Sequence, residues 1–273
     1  MTSAADPVAL LDTSLELELR ELSRANSRAR FHDEADVAWC TGAVPGAVVY
    51  RTRLGASSAT TAITDQCRRF DAGHLGATWW AGPSDRPDDL RRRLAEANFV
   101  LEDDEAGMAA DLGALVEDLP VPAGLEVVAT GGEDRLDARV IEEWLDVAEL
   151  TYGWPRERRA QRRTLYLSDE RRPRPWRHVV ARLNGTAVAL ARVLVQDGVA
   201  MVHGVATVPD SRRHGIGTAV TLRALQVARD AGAAVGVLQA SSMGQGPYRH
   251  LGFQQVASYG RFVRPAARGQ HQA

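Results

Sequence analysis

Val205-Ala206-Thr207-Val208-Pro209-Asp210-Ser211-Arg212-Arg213-His214-Gly215-Ile216-Gly217-Thr218 is the stretch on which the reading of this chain turns. An apolar strand stops at Pro209-Asp210, and a loop with two glycines delivers the chain into an alanine-rich helix expected over residues 217–231. Glycine tolerates positive φ and lets main-chain N–H groups come close to a ligand. Those groups, together with the positive end of a helix dipole, make an anion site, so the segment reads as a binder of phosphate or pyrophosphate. A dinucleotide fingerprint does not fit. Val220 stands where the third small residue belongs, and Val235-Gly236-Val237 occupy the place of the ribose-binding acid. A P-loop is excluded because all 33 cationic side chains are arginine, and the same absence excludes a pyridoxal Schiff base.

What remains resembles the acyl-CoA pyrophosphate loop of the GNAT acyltransferases, Arg/Gln-x-x-Gly-x-Gly/Ala, matched by Arg212, Gly215 and Gly217. A second segment strengthens the resemblance. Leu238-Gln239-Ala240-Ser241-Ser242 precedes Pro247-Tyr248-Arg249-His250-Leu251-Gly252-Phe253, similar to the strand, short Tyr-bearing helix and Gly-Phe of that family. Around these motifs residues 125–265 read as strand, two helices, three antiparallel strands, helix, strand, helix, strand. That order is an α+β arrangement. Asn184-Gly185 and Asp197-Gly198 mark the tight turns between the three strands.

The resemblance implies an N-acetyltransferase using acetyl-CoA as co-substrate, with a small amine-bearing acceptor and direct transfer in a ternary complex. Arg212, Arg213, His214, Gly215, Ile216, Gly217 and Thr218 would hold the pyrophosphate. Val205, Ala206, Thr207 and Val208 would pair with the pantetheine arm, and Ser241 and Arg249 would also contact the cofactor. Tyr248 matches the tyrosine that protonates the departing sulfur. Many family members carry a glutamate on the fourth strand. Here residues 199–208 hold no acid, and His203 is their ionisable candidate for general base, with a water chain as the alternative. Tyr152 and Trp154, in a Tyr-Gly-Trp-Pro loop, would line the acceptor side. Arg156, Arg158, Arg159, Arg162 and Arg163 read most simply as an exposed helix face, with a hold for an anionic substrate or the CoA 3′-phosphate as the alternative. Two other readings stay open: a different acyl-CoA reaction such as longer acyl transfer or decarboxylation, and a non-catalytic CoA-binding module.

The first 120 residues carry no such loop. Asp6-Pro7 opens a helix with Leu11, Leu15, Leu19 and Leu22 on one face. Short strands at Val48-Tyr50 and Ala77-Trp80 flank a helix over 59–70, and another helix begins at Pro87. This half resembles the degenerate first domain of tandem-GNAT proteins. The expected organisation is therefore two GNAT-like domains, each with a mixed, mostly antiparallel sheet flanked by helices. They would span 1–120, without a CoA loop, and 121–268, catalytic, divided at Leu119-Pro120-Val121-Pro122-Ala123-Gly124, with a disordered tail at 269–273.

Charge divides unevenly, at net −9 for residues 1–120 and +7 for the remainder, while the whole chain carries −2. That balance argues against a nucleic-acid partner, and no apolar run has membrane-spanning length. Met1 to Ala9 show no export pattern, and two cysteines suit a cytoplasmic setting. The absence of lysine fits a GC-rich bacterial genome. No metal-ligand spacing occurs among the seven histidines, so no metal is expected. A homodimer is left open.

Overall fold

The computed structural model describes residues 6–24, 26–132, 136–167 and 176–266. Two compact units form, one from residues 1–107 with 256–273, the other from 108–255.

In the first unit, α1 (Pro7–Ser23) starts where the Asp6 carboxylate accepts the Val8 N–H at 3.0 Å. Its leucines 11, 15, 19 and 22 are buried. Strands β1 (Arg30–Asp33), β2 (Val37–Thr41) and β3 (Ala47–Thr52) follow as an antiparallel meander. Helix α2 (Ala59–Ala72) then crosses over to β4 (Ala77–Ala81), which lies parallel to β3. A short helix, α3 (Leu90–Glu96), leads into β5 (Val100–Asp111). The core gathers Trp39, Ile63, Phe70, Trp79, Leu94 and Phe99. Trp79 meets Phe99 edge-on at 5.7 Å.

The parallel pair is short. Ala47, Val48 and Val49 face Ala77, Thr78 and Trp79, and the strands then part. The turn after β4 fills the opening. One Asp85 oxygen accepts the Thr52 N–H at 2.6 Å, and the other accepts the Gly82 N–H at 2.7 Å. The Arg86 N–H donates to the Thr52 carbonyl and the Leu54 N–H donates to the Arg86 carbonyl. The Trp79 indole N–H donates to Thr52 Oγ1 at 2.9 Å.

The second unit takes the end of β5 from Met108 and a 3₁₀ turn over Leu112–Ala114, where the Leu112 N–H donates to the Ala234 carbonyl. Next come β6 (Leu125–Gly131), α4 (Ala138–Tyr152) and α5 (Arg156–Leu167). Strands β7 (Trp176–Leu183), β8 (Thr186–Gln196) and β9 (Val199–Thr207) complete an antiparallel set with β6. Asn184-Gly185 and Asp197-Gly198 all have positive φ, as the primed two-residue hairpin turn demands. Helix α6 (Ile216–Asp230) crosses over to β10 (Val235–Ala240), parallel to β9. Helix α7 (Gln245–His250) precedes the last strand, β11 (Gln254–Arg264). Trp144, Ile141 and Leu145 of α4 and Val220 and Leu225 of α6 are buried on the sheet.

The α+β class and the element order of the second half agree with the sequence reading. The division of the chain differs from it. Strand β11 runs antiparallel to β4, Gly260 opposite Ala81 through Arg264 opposite Ala77, so residues from Val256 onward count with the first unit. Residues 115–124 form an irregular segment inside the second unit rather than the boundary. The helix expected from Pro87 begins at Leu90. The expected helix start at Asp134 and the tail at 269–273 lie outside the described residues. Among the described residues, no helix is long and apolar enough to cross a membrane.

Candidate functional site

β9 and β10 are hydrogen-bonded neighbours over three residues only, Val199, Ala200 and Met201 opposite Val235, Gly236 and Val237. Both strands then continue, to Thr207 and Ala240, without pairing to each other. Being parallel, they open a wedge at their carboxyl ends, and the chain leaving β9 enters α6 at that same end. An added Cβ at Gly217 would stand 3.3 Å from Thr207 Oγ1, which places the first turn of α6 against the end of β9.

The loop between them is shaped for backbone donors. Arg213 and Gly215 hold φ of +63° and +76°. At Gly215 a side chain is doubly unwelcome, because its Cβ would also lie 2.9 Å from the Pro120 carbonyl. The first helical hydrogen bond runs from the Ala219 N–H to the Gly215 carbonyl, so the N–H groups of Gly215, Ile216, Gly217 and Thr218 precede the helix's own bonding. Left-handed residues beside a helix start form a concave nest of such donors. The Arg212 side chain turns back, Nε donating to the Thr207 carbonyl at 3.0 Å, and so braces loop to strand. Arg213 and His214 are exposed.

On the wedge itself the strand offers Val205, Ala206 and Thr207. Val208 is engaged elsewhere, its N–H with the Val188 carbonyl and its own carbonyl with the Ser211 N–H. Ser241 sits at the exit of β10, its carbonyl accepting the Gly244 N–H. Tyr248, half-buried on α7, packs its ring 6.1 Å from Phe253, and its carbonyl accepts the N–H groups of Leu251 and Phe253. A Cβ at Gly244 would press on that ring at 3.1 Å. Arg249 is exposed and donates to Gln245 Oε1.

His203 lies on β9 opposite Arg192 of β8, which in turn lies opposite His178 of β7. Directly opposed residues project from the same side of a sheet, so the three form a row. Trp176 joins it, 5.4 Å from His203 and 4.5 Å from the Arg192 guanidinium carbon. Arg192 is 6% exposed and donates through Nη1 to the Tyr166 hydroxyl at 3.2 Å. Beside His203, Gly204 has φ of +57°, and the β8–β9 register shifts between Leu190 and Arg192, so the strand bulges there. Arg192 Nε and Tyr152 Oη each stand 3.7 Å from where a Gly204 Cβ would be. Tyr152, the last residue of α4, stacks on Trp154 at 5.8 Å with rings 24° apart. Trp144, in contrast, is a core residue whose indole donates to the Ala191 carbonyl.

The arginine run on α5 departs in part from the expected exposed face, since Arg156 and Arg163 are exposed while Arg158, Arg159 and Arg162 are covered to differing degrees. Arg162 is 7% exposed. Arg159 pairs with Glu142, Asp146 and Glu149, and Arg163 with Glu142. Arg158 covers the Trp154 ring instead. Arg192, Tyr166 and Gly204 were not singled out from the sequence. The one legible signal was a lone arginine inside the apolar run Ala187–Val195.

Residues 141–253 match the Acetyltransferase (GNAT) family. No curated protein matches the chain. Among solved structures, a GCN5-related N-acetyltransferase from Kribbella flavida superposes with a TM-score of 0.67 at 20% identity, over 97% of this chain and 98% of its own. One from Sphaerobacter thermophilus gives 0.62 at 17% identity, over 82% and 73%. A tandem GNAT protein of the clavulanic acid biosynthesis pathway gives 0.58 at 16%, over 86% and 79%. At these identities the structures speak for the fold, while the family match covers the segment holding wedge, loop and Tyr-bearing helix. Residues 141–253 of this chain are therefore similar to the acetyltransferase (GNAT) family in sequence, and the chain shares the fold of GNAT structures.

Proposed function

We propose that the protein is an N-acetyltransferase that moves an acetyl group from acetyl-CoA to a primary amine of a small molecule, directly and within a ternary complex. The observation that carries this reading is the wedge between β9 and β10 opening onto the N–H groups of Gly215 to Thr218. A pyrophosphate fits a nest of main-chain donors at a helix start. The amide-bearing pantetheine arm fits an unpaired strand edge, as an added strand would. The bulge at Gly204 turns the strand where the thioester would lie.

Acyl transfer then needs a neutral amine, charge stabilisation on the tetrahedral oxygen and a proton for the leaving sulfur. His203, the imidazole on β9, takes the amine proton directly or through water. A main-chain N–H on the wedge side of β9 polarises the thioester carbonyl. Tyr248 donates to the thiolate. Direct transfer is favoured because neither cysteine belongs to the second unit. Cys40 and Cys67 are both buried, and burial pushes the Cys40 thiol up to about 12.

Calorimetric titration with acetyl-CoA tests the donor site. Wild type should bind with a Kd on the order of 1 µM, about −8 kcal/mol. Gly217→Val, which inserts bulk between α6 and Thr207, should lose at least about 100-fold. Absence of binding in the wild type would overturn the reading. Binding without thiol release over a panel of amines would turn it into a non-catalytic CoA-binding module.

A further inference from the structure

A charge is left over in the second unit, and it lies on the acceptor side of the bulge. Arg158 holds its guanidinium carbon 6.0 Å above the centroid of Trp154. Among the described residues no carboxylate lies within ion-pair distance of it, whereas its neighbours Arg159 and Arg163 are both taken up by acids of α4. Burial pushes the Arg158 guanidinium below the ordinary arginine range with no acid to offset it. A half-desolvated cation on an aromatic face is electrostatically incomplete. A planar anion would complete it, because the guanidinium fork matches a carboxylate in two parallel hydrogen bonds.

The path from this cation to the reacting centre is continuous. Trp154 stacks on Tyr152, and the Tyr152 hydroxyl reaches the Gly204 bulge together with Arg192 Nε. The groups along that path are a phenol, an indole, an imidazole and two guanidiniums. A polycationic acceptor, such as a polyamine or an aminoglycoside, would bring its charges against like charges here. An amine that also bears a carboxylate would place its aromatic or aliphatic body on Tyr152 and Trp154.

We infer that the acceptor is an amine that also carries a carboxylate at the far end of its body, the class of ω-amino acids and short peptides, with its amine beside Gly204 and its carboxylate on Arg158. This rests on the acetyl-transfer reading above and names the substrate class of the same site.

The experiment measures thiol release from acetyl-CoA with ω-amino acids and dipeptides, each against its own carboxamide, and with spermidine and an aminoglycoside. Acetyl-CoA binding is followed separately by calorimetry. The acids should exceed their amides by at least about tenfold in kcat/KM. Arg158→Gln should raise KM for the acids by about tenfold or more, leave the amides and the acetyl-CoA Kd unchanged, and Arg158→Lys should recover part of the loss. Equal turnover of acid and amide would overturn the inference. So would faster turnover of spermidine or the aminoglycoside, an Arg158→Gln effect common to acid and amide, or no turnover of any ω-amino acid or dipeptide by acetyl-CoA-bound protein. Failure of the wild type to bind acetyl-CoA would fell the donor reading itself, and this inference with it.

Discussion

The chain builds the same strand–helix–parallel strand piece twice. In the first unit it is β3–α2–β4, and in the second β9–α6–β10. In both, the parallel strands share three residue pairs and then part. The wedge so formed in the first unit is closed by the protein's own turn. Asp85 binds the N–H groups of Thr52 and Gly82, one at the end of each strand, and Arg86 bonds along β3. The wedge in the second unit has no such turn, because β10 is followed by Ser241 to Gly244 and α7 rather than by a carboxylate that folds back. α6 begins at a left-handed glycine with four donors ahead of its first bond. Backbone donors must be satisfied from somewhere. At the parting strands the first copy supplies a carboxylate of its own, and among the described residues the second copy has no counterpart to Asp85.

The sharpest test of that contrast is catalytic. Tyr248→Phe should lower turnover by about 1000-fold, the range of a lost general acid, with the acetyl-CoA Kd unchanged. Unchanged turnover would remove Tyr248 from the chemistry and leave the open wedge with binding alone. Next is stoichiometry. Calorimetry should find one acetyl-CoA per chain, and Gly55→Val in the loop before α2 should alter neither stoichiometry nor affinity. Two molecules per chain would show that Asp85 does not close the first wedge.

Asp85→Ala should destabilise the first unit by about 3 kcal/mol, since two N–H groups lose their acceptor, and the loss is read by denaturant unfolding. Acetyl-CoA binding should remain. The same residue supplies a pH test. Burial pushes the Asp85 carboxyl up from 3.8 to about 6. The folded state therefore holds a proton that the unfolded chain has released between those values, so this group's contribution to stability is full below pH 4 and is lost as pH rises through 6. Asp85→Asn should flatten that slope in Tm between pH 4 and 7. The smallest effect expected is Thr52→Val, about 1 kcal/mol for the hydrogen bond from the Trp79 indole.

Most of the second unit was legible because its signals are local. Asn-Gly and Asp-Gly set the hairpins, the Gly-x-Gly loop set the helix start, and periodic apolar residues set α4 and α6. Strands β1, β2 and β5 were missed. β5 carries Glu102, Asp103, Asp104 and Glu105 in succession, a composition that strand propensity disfavours. Two of these acids are held by Arg261 across from them, a partner that only folding brings near. Arg158 was read only as one of a run, a solvated face or a hold for an anion, since nothing in the sequence distinguishes an arginine that meets α4 acids from one that meets Trp154.

The sequence by itself determined the class of fold, the glycine loop with Arg212, Gly215 and Gly217 that leads into α6, and the tyrosine on the short helix. Each depends on contacts within a few residues, where spacing dictates geometry. Tertiary structure alone decided that β11 completes the first unit, that Asp85 closes one wedge while its counterpart stays open, and that Arg158 meets Trp154 while Arg192 lies beside Gly204. Those outcomes depend on which distant groups meet, and neither composition nor periodicity encodes the partner of a side chain more than a turn or two away.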